Sequence, residues 1–188
     1  MGFIKMTVLS NVELFNKQTI ELLFEYFYND FIHNNTYLIN GNKYYKIDVK
    51  KDKVCNCQFN GNNKPERFWH IITKKENEKS KCNNPCPSPE NRRIYDPARA
   101  KRIHWIKPII EEWLSNPNIV HFYEKIKGKE TLHIWHTKYD FIIILRRETH
   151  NSECFLVSTY LVHKNQKQRY KKRLKRYKNI KPIGFEWF

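Results

Sequence analysis

Between Thr131 and His163 the chain carries three β-rich runs, TLHIWH, DFIIILRR and CFLVSTYLVH, separated only by the connectors TKY and ETHNSE. Connectors this short cannot hold a crossover helix, so the runs pair with their neighbours as an antiparallel meander. Branched and aromatic side chains fill the runs, as suits a pleated and half-buried surface. In the last run Ser158 and Tyr160 point to one face and Thr159 to the other. Hydroxyls interrupting an apolar strand need partners, either on a neighbouring strand or on a substrate.

The first half of the chain reads mainly as helix. LSNVELFNKQTIELLFEYFYNDFIH places Ser10 three residues before Glu13, the capping-box spacing, and repeats apolar residues through Leu14, Ile20, Leu23, Phe24 and Phe27. One long amphipathic helix is expected there. NGNK at 40–43 is a turn, YYKIDVK alternates like a strand with CNCQF as a possible hairpin continuation, and RFWHII at 67–72 reads as a short strand. From Thr73 to Tyr95 no apolar period appears and Pro85, Pro87 and Pro89 intervene, which predicts a long loop. Asp96 as N-cap and Pro97 at the first helical position then start a helix running to about Leu114. Helices followed by a meander give an α+β fold: N-terminal helices packed on an antiparallel sheet of four or more strands. A basic C-terminal helix over 164–181, anchored by Tyr170, Leu174 and Tyr177, closes the single domain expected over 1–188.

With 40% hydrophobic and 15% aromatic residues, the chain has enough apolar material for a core. Lys and Arg total 35 against 19 Asp and Glu, a formal net charge of +16, and that imbalance favours a polyanion, nucleic acid first. A Lys- and Asn-rich composition alone would explain part of it. The longest aliphatic run is FIIIL at 141–145, and the start MGFIKM has neither an apolar leader nor a Ser or Thr at its sixth position. No membrane association and a cytoplasmic location are therefore expected. Five cysteines, an odd number, argue against a complete disulfide framework. Cys55 and Cys57, with Cys82 and Cys86, form two close pairs suited to a structural zinc staple or to plain reduced thiols. Cys154, in an apolar strand, is expected to be buried.

The segment ARAKRIHWIKPII carries the sharpest binding signal. Its isoleucines recur at helical spacing, while Arg99 and Arg102 lie three apart near the helix start and would form a fork for a phosphate. Two surface arginines paired to carboxylates are the plain alternative. His70, in FWHI, is a structural imidazole or, facing a basic cleft, an acid or base. Lys101, Lys107, Arg146, Lys171, Lys172, Arg173, Lys175 and Arg176 are candidate RNA-phosphate contacts.

A helix ending in NDFI, then FWHII, RAKRIHWIKPII, YDFIIILRR, FLVSTYLV and a basic tail together resemble, from about Asn29 to Tyr177, a group of small phage- and plasmid-associated proteins. These are related to the barnase/EndoU/colicin/RelE superfamily of metal-independent ribonucleases. The resemblance implies N-terminal helices on a four-stranded antiparallel sheet, and RNA cleavage by the substrate's own 2′-hydroxyl to leave a 2′,3′-cyclic phosphate. It implies no catalytic cofactor, a toxin-like role and a neutralising antitoxin or immunity partner. His70 matches the strand histidine, Arg99 and Arg102 the helix arginines, and Thr159 and Tyr160 the T-x-Y place on the late strand. The cysteine pairs depart from that pattern, and a second histidine is not fixed between His104 and His136. A noncatalytic RNA- or DNA-binding protein, or a phage accessory or inhibitor protein, is the alternative.

Overall fold

Alternation in the late strands sorts the residues of one sheet onto two faces, and each face is covered by a different part of the chain. A computed structural model describes residues 6–50, 64–75, 93–126, 128–147 and 153–180. The sheet contains β1 (Tyr37–Asn40), β2 (Lys43–Asp48), β5 (Ile119–Ile126), β6 (Lys129–His136), β7 (Phe141–Arg147) and β8 (Glu153–Leu161), in the order β1-β2-β8-β7-β6-β5. The expected meander spans β6 to β8, extended at its outer edge by β5. The sheet is mixed rather than antiparallel throughout, because β2 joins β8 in parallel over Lys46–Asp48 and Glu153–Phe155. NGNK is the tight turn between β1 and β2, with Asn40 opposite Lys43 and Gly41 at φ +56°.

The first face packs against α1 (Lys17–Tyr28), α2 (Glu66–Ile72) and α4 (Ile106–Glu111) around buried Leu23, Phe27, Trp69, Ile109, Ile143 and Leu156. Cys154 is buried in the same core. α1 starts later than the capping-box spacing predicts. Asn11 sits at φ +62°, outside the helical region, and Asn16 is the true N-cap, its side chain accepting from the Thr19 amide at 2.8 Å. The helix closes in a π-helical turn, Asn29–His33.

RFWHII is also a correction, because it forms the helix α2 rather than a strand. Phe68, Trp69, Ile71 and Ile72 stand at i, i+1, i+3 and i+4, so a helix buries all four on one side, whereas a strand would split them between faces. The ends of the expected 73–95 loop pair as β3 (Thr73–Lys75) and β4 (Arg93–Tyr95). Cys55, Cys57, Cys82 and Cys86, with the CNCQF segment, lie outside the described residues.

The helix expected from Asp96 to Leu114 begins as predicted and then breaks. Asp96 accepts from the amides of Ala98 and Arg99 at 3.1 and 3.3 Å, and Pro97 opens α3 (Pro97–Ala100). A 3₁₀ turn, Ile103–Trp105, separates it from α4. Asp96→Ala is expected to cost about 1 kcal/mol in urea denaturation, and Asp96→Asn less, since asparagine still caps.

The second face of the sheet is closed by α5 (Lys164–Ile180), which packs Tyr170, Leu174 and Tyr177 against Phe122, Trp135 and Ile142. The expected basic C-terminal helix is present and docked by the three residues that predict it. Among the described residues no helix is long and apolar enough to cross a membrane.

Candidate functional site: a basic cleft on the second face

β8 pairs with β2 only as far as Phe155, and α2 packs beside the rest of that edge. Arg67 of α2 donates to the Val157 carbonyl at 2.5 Å, next to the register shift that makes Val157 an extra residue in the strand. Its guanidinium lies 4.3 Å from the Phe155 ring centre, a ring shared with Lys50 at 4.6 Å and Arg146 at 4.8 Å. Burial, reinforced by neighbouring Arg93 and Arg146, draws the Arg67 pKa down to about 10.

His70 follows from this arrangement. Arg67 Nη1 lies 3.1 Å from His70 Nδ1, and because a guanidinium only donates, Nδ1 accepts and the ring proton sits on Nε2, 3.4 Å from Glu66 Oε1. His70 is therefore held between two residues of its own helix, and it does not line the cleft described next. Arg93 donates to Thr73 Oγ1 at 2.7 Å and to the Thr73 carbonyl at 3.0 Å, and Arg99 donates to that carbonyl at 2.9 Å, so two arginines cap the C-terminal end of α2.

Beyond that bond Arg99 lines a cleft of about 590 Å³ between α5, the start of α3 and the second face of the sheet. Lys74, Arg169 and Arg173 supply further positive charge, and Tyr160, Tyr170, His133 and His163 complete the chemically active lining. The Arg99 guanidinium stands 5.6 Å from the Tyr160 ring centre and its Nε 3.4 Å from Asp96 Oδ2. Burial lowers the Arg99 pKa, opposed by Asp96 and Tyr160. The hydroxyls of Tyr160 and Tyr170 are hydrogen-bonded to each other, linking β8 to α5. Burial first, and then this bond, pushes the Tyr160 pKa upward, so the hydroxyl keeps its proton and can donate.

His133 stacks on Phe122, with ring centres 4.7 Å apart and planes at 10°, and its Nε2 lies 3.4 Å from Glu124 Oε2. Arg173 Nη1, 3.2 Å from the same carboxylate oxygen, absorbs most of that negative charge. Burial, and next Arg173, push the His133 pKa down from 6.5 to about 4. The folded state thus prefers the neutral ring while the unfolded chain takes the proton. Stability from His133 is complete above pH 6.5 and is lost as the pH falls towards 4, a total on the order of 3 kcal/mol. Asp30 acts with the opposite sign, its carboxyl raised from 3.8 to about 6 mainly by burial. The urea midpoint of the parent chain minus that of His133→Phe should therefore grow as the pH rises from 4 to 7, Asp30 being common to both.

Of the residues predicted from the sequence, the cleft holds Arg99, Tyr160 and Arg173. Arg102 is not among the residues lining the cleft: its guanidinium lies 5.0 Å from the Trp105 ring centre and donates to the Ala98 carbonyl at 2.6 Å. Thr159 faces the first core at 1% exposure, opposite Ile143, as strand alternation dictates. Lys101 pairs with Glu13, and Lys107 lies 4.0 Å from Glu111, so both are taken up elsewhere. Arg146 shares the second face, two residues along β7 from Ile144 of the cleft. Lys171, Lys172, Lys175 and Arg176 are exposed on α5. His104 bonds the Thr7 carbonyl through Nε2 at 2.8 Å and His136 packs on Tyr139, so neither lines the cleft.

Sequence reasoning missed Lys74, His133, His163 and Arg169. For His133 a signal existed: alternation in TLHIWH sets Thr131, His133 and Trp135 opposite Leu132 and Ile134. Among the described residues no group of three or more His, Cys, Asp or Glu is placed to hold a metal ion. No protein-family model, curated protein or solved structure matches the chain.

Proposed function

We propose that the cleft binds an RNA phosphate and that the chain is a toxin-like endoribonuclease of the barnase/EndoU/colicin/RelE kind, cleaving without a catalytic metal. One observation carries the reading: Arg99, Lys74, Arg169 and Arg173 converge with a tyrosine hydroxyl pair and two imidazoles in one cleft. In the reaction the 2′-oxygen attacks phosphorus as its proton leaves to a base, and the bond to the 5′-oxygen breaks as an acid protonates that oxygen. The products are a 2′,3′-cyclic phosphate and a free 5′-hydroxyl. Charge gathering on the nonbridging oxygens is met by the Arg99 guanidinium and by the Tyr160–Tyr170 hydroxyls. His163, exposed at the cleft rim, is the imidazole that a bound strand reaches, and it takes over the proton-transfer role expected of His70.

A second reading, noncatalytic RNA binding, is favoured by the exposed basic surface of α5. Labelled RNA incubated with the protein, with and without EDTA, separates the two by the mass of the product ends. Cyclic-phosphate ends in both conditions support the enzyme. Intact RNA bound in a salt-dependent complex supports the binder.

A further inference from the structure

A second groove, of about 500 Å³, adjoins the cleft and shares two residues with it. Arg169 and Arg173 line both, and Lys172 and Arg176 continue the groove along α5. These four stand at i, i+3, i+4 and i+7, so they form one stripe on a single side of the helix. Glu124 also lines the groove, with its carboxylate matched by Arg173 at 3.2 Å, which leaves the groove strongly positive. The other α5 lysines are not arranged this way. At 100° per residue Lys164 and Lys178 project from the flank away from the stripe.

We infer that the two grooves form one track, and that the ligand is a single-stranded RNA segment of several nucleotides whose phosphates run from Arg99 across Arg169 and Arg173 to Lys172 and Arg176. This inference rests on the RNA reading and deepens it. From Arg169 to Arg176 the helix rises about 10 Å, the axial advance of about three stacked nucleotides at ~3.4 Å each. A mononucleotide held in the cleft would leave the second groove unused. A stiff duplex presents its phosphates on a convex surface, which follows two adjoining concave grooves less readily than a strand that bends.

The test uses the full chain and 5′-labelled, fully 2′-O-methylated oligoribonucleotides, which cannot be cleaved by 2′-hydroxyl attack. Fluorescence anisotropy across a salt series is read for a 2-mer, an 8-mer and an 8-base-pair duplex. The 8-mer should bind at least about tenfold more tightly than the 2-mer and the duplex. Lys172→Gln with Arg176→Gln should remove most of that advantage and lower the slope of log affinity against log salt by about 1.4, two phosphates at about 0.7 each. The 2-mer should be affected by less than about twofold. Lys164→Gln with Lys178→Gln removes the same charge and should leave the slope nearly unchanged. Equal losses from the two double variants, an 8-mer no tighter than the 2-mer, or a duplex as tight as the strand would each overturn the track while leaving RNA binding intact. No binding of any oligonucleotide to the parent chain would instead overturn the RNA reading, and the track with it.

Discussion

On the proposed ribonuclease function, Arg99→Lys is expected to lower the rate of RNA cleavage by about 100-fold, with a change in KM of only a few-fold. Such a loss is what removing one positioned donor from a transition state costs. Lysine keeps the charge and one bond to the Thr73 carbonyl, so the cap on α2 survives, but it loses the planar fork that pairs two phosphate oxygens at once. Initial rates on a fluorogenic RNA, beside a thermal melt, separate the chemical effect from the structural one. Arg102→Lys, in a residue that packs on Trp105 outside the cleft, should change the rate by less than about threefold. Equal losses at both positions would mean that the two arginines act through general charge and not through a site.

Truncation after His163 is expected to unfold the protein. Removing α5 strips Tyr170, Leu174 and Tyr177 from the second face and exposes Phe122, Trp135 and Ile142 beneath them. At roughly 1.5–3 kcal/mol for each large apolar side chain taken out of burial, the loss is on the order of 5–10 kcal/mol. That is comparable to the whole stability of a domain of this size, about 5–15 kcal/mol. The basic segment is thus both a lid on the sheet and a carrier of charge, and the two roles are separable only by side-chain substitution on its outer surface. Circular dichroism of the truncated chain should show no cooperative urea transition. A folded truncated chain would mean that the second face does not depend on α5.

The features legible in the sequence are those governed by local chemistry. The meander follows from short connectors, the start of α3 from Asp96 and Pro97, and the split of Tyr160 from Thr159 from a period of two. Docking of α5 follows from three anchors at helical spacing. FWHII defeats such reasoning because an apolar run of this length satisfies either period, and only the partner surface decides. IVHFYEKI, which forms β5, alternates Val120 and Phe122 with His121 and Tyr123, but all four positions carry apolar or aromatic bodies and hide the period. The parallel join of β2 to β8 links residues more than a hundred positions apart, so no local pattern encodes it. The same holds for the cleft. Lys74, Arg99, His133 and Arg169 come from four separate elements and meet only because α2 borders one edge of β8 while α5 covers the second face.

A crystal structure of the full chain with a 2′-O-methylated tetranucleotide would show where the strand sits and what Arg99 holds. The expected result is a phosphate held by Arg99 within hydrogen-bond reach of the Tyr160–Tyr170 hydroxyls, with His163 beside the sugar and the following phosphates towards Arg169 and Arg173. An oligonucleotide seated away from this cleft, for instance against His70 and Arg102 with Arg99 still bound only to Asp96 and the Thr73 carbonyl, would overturn that reading.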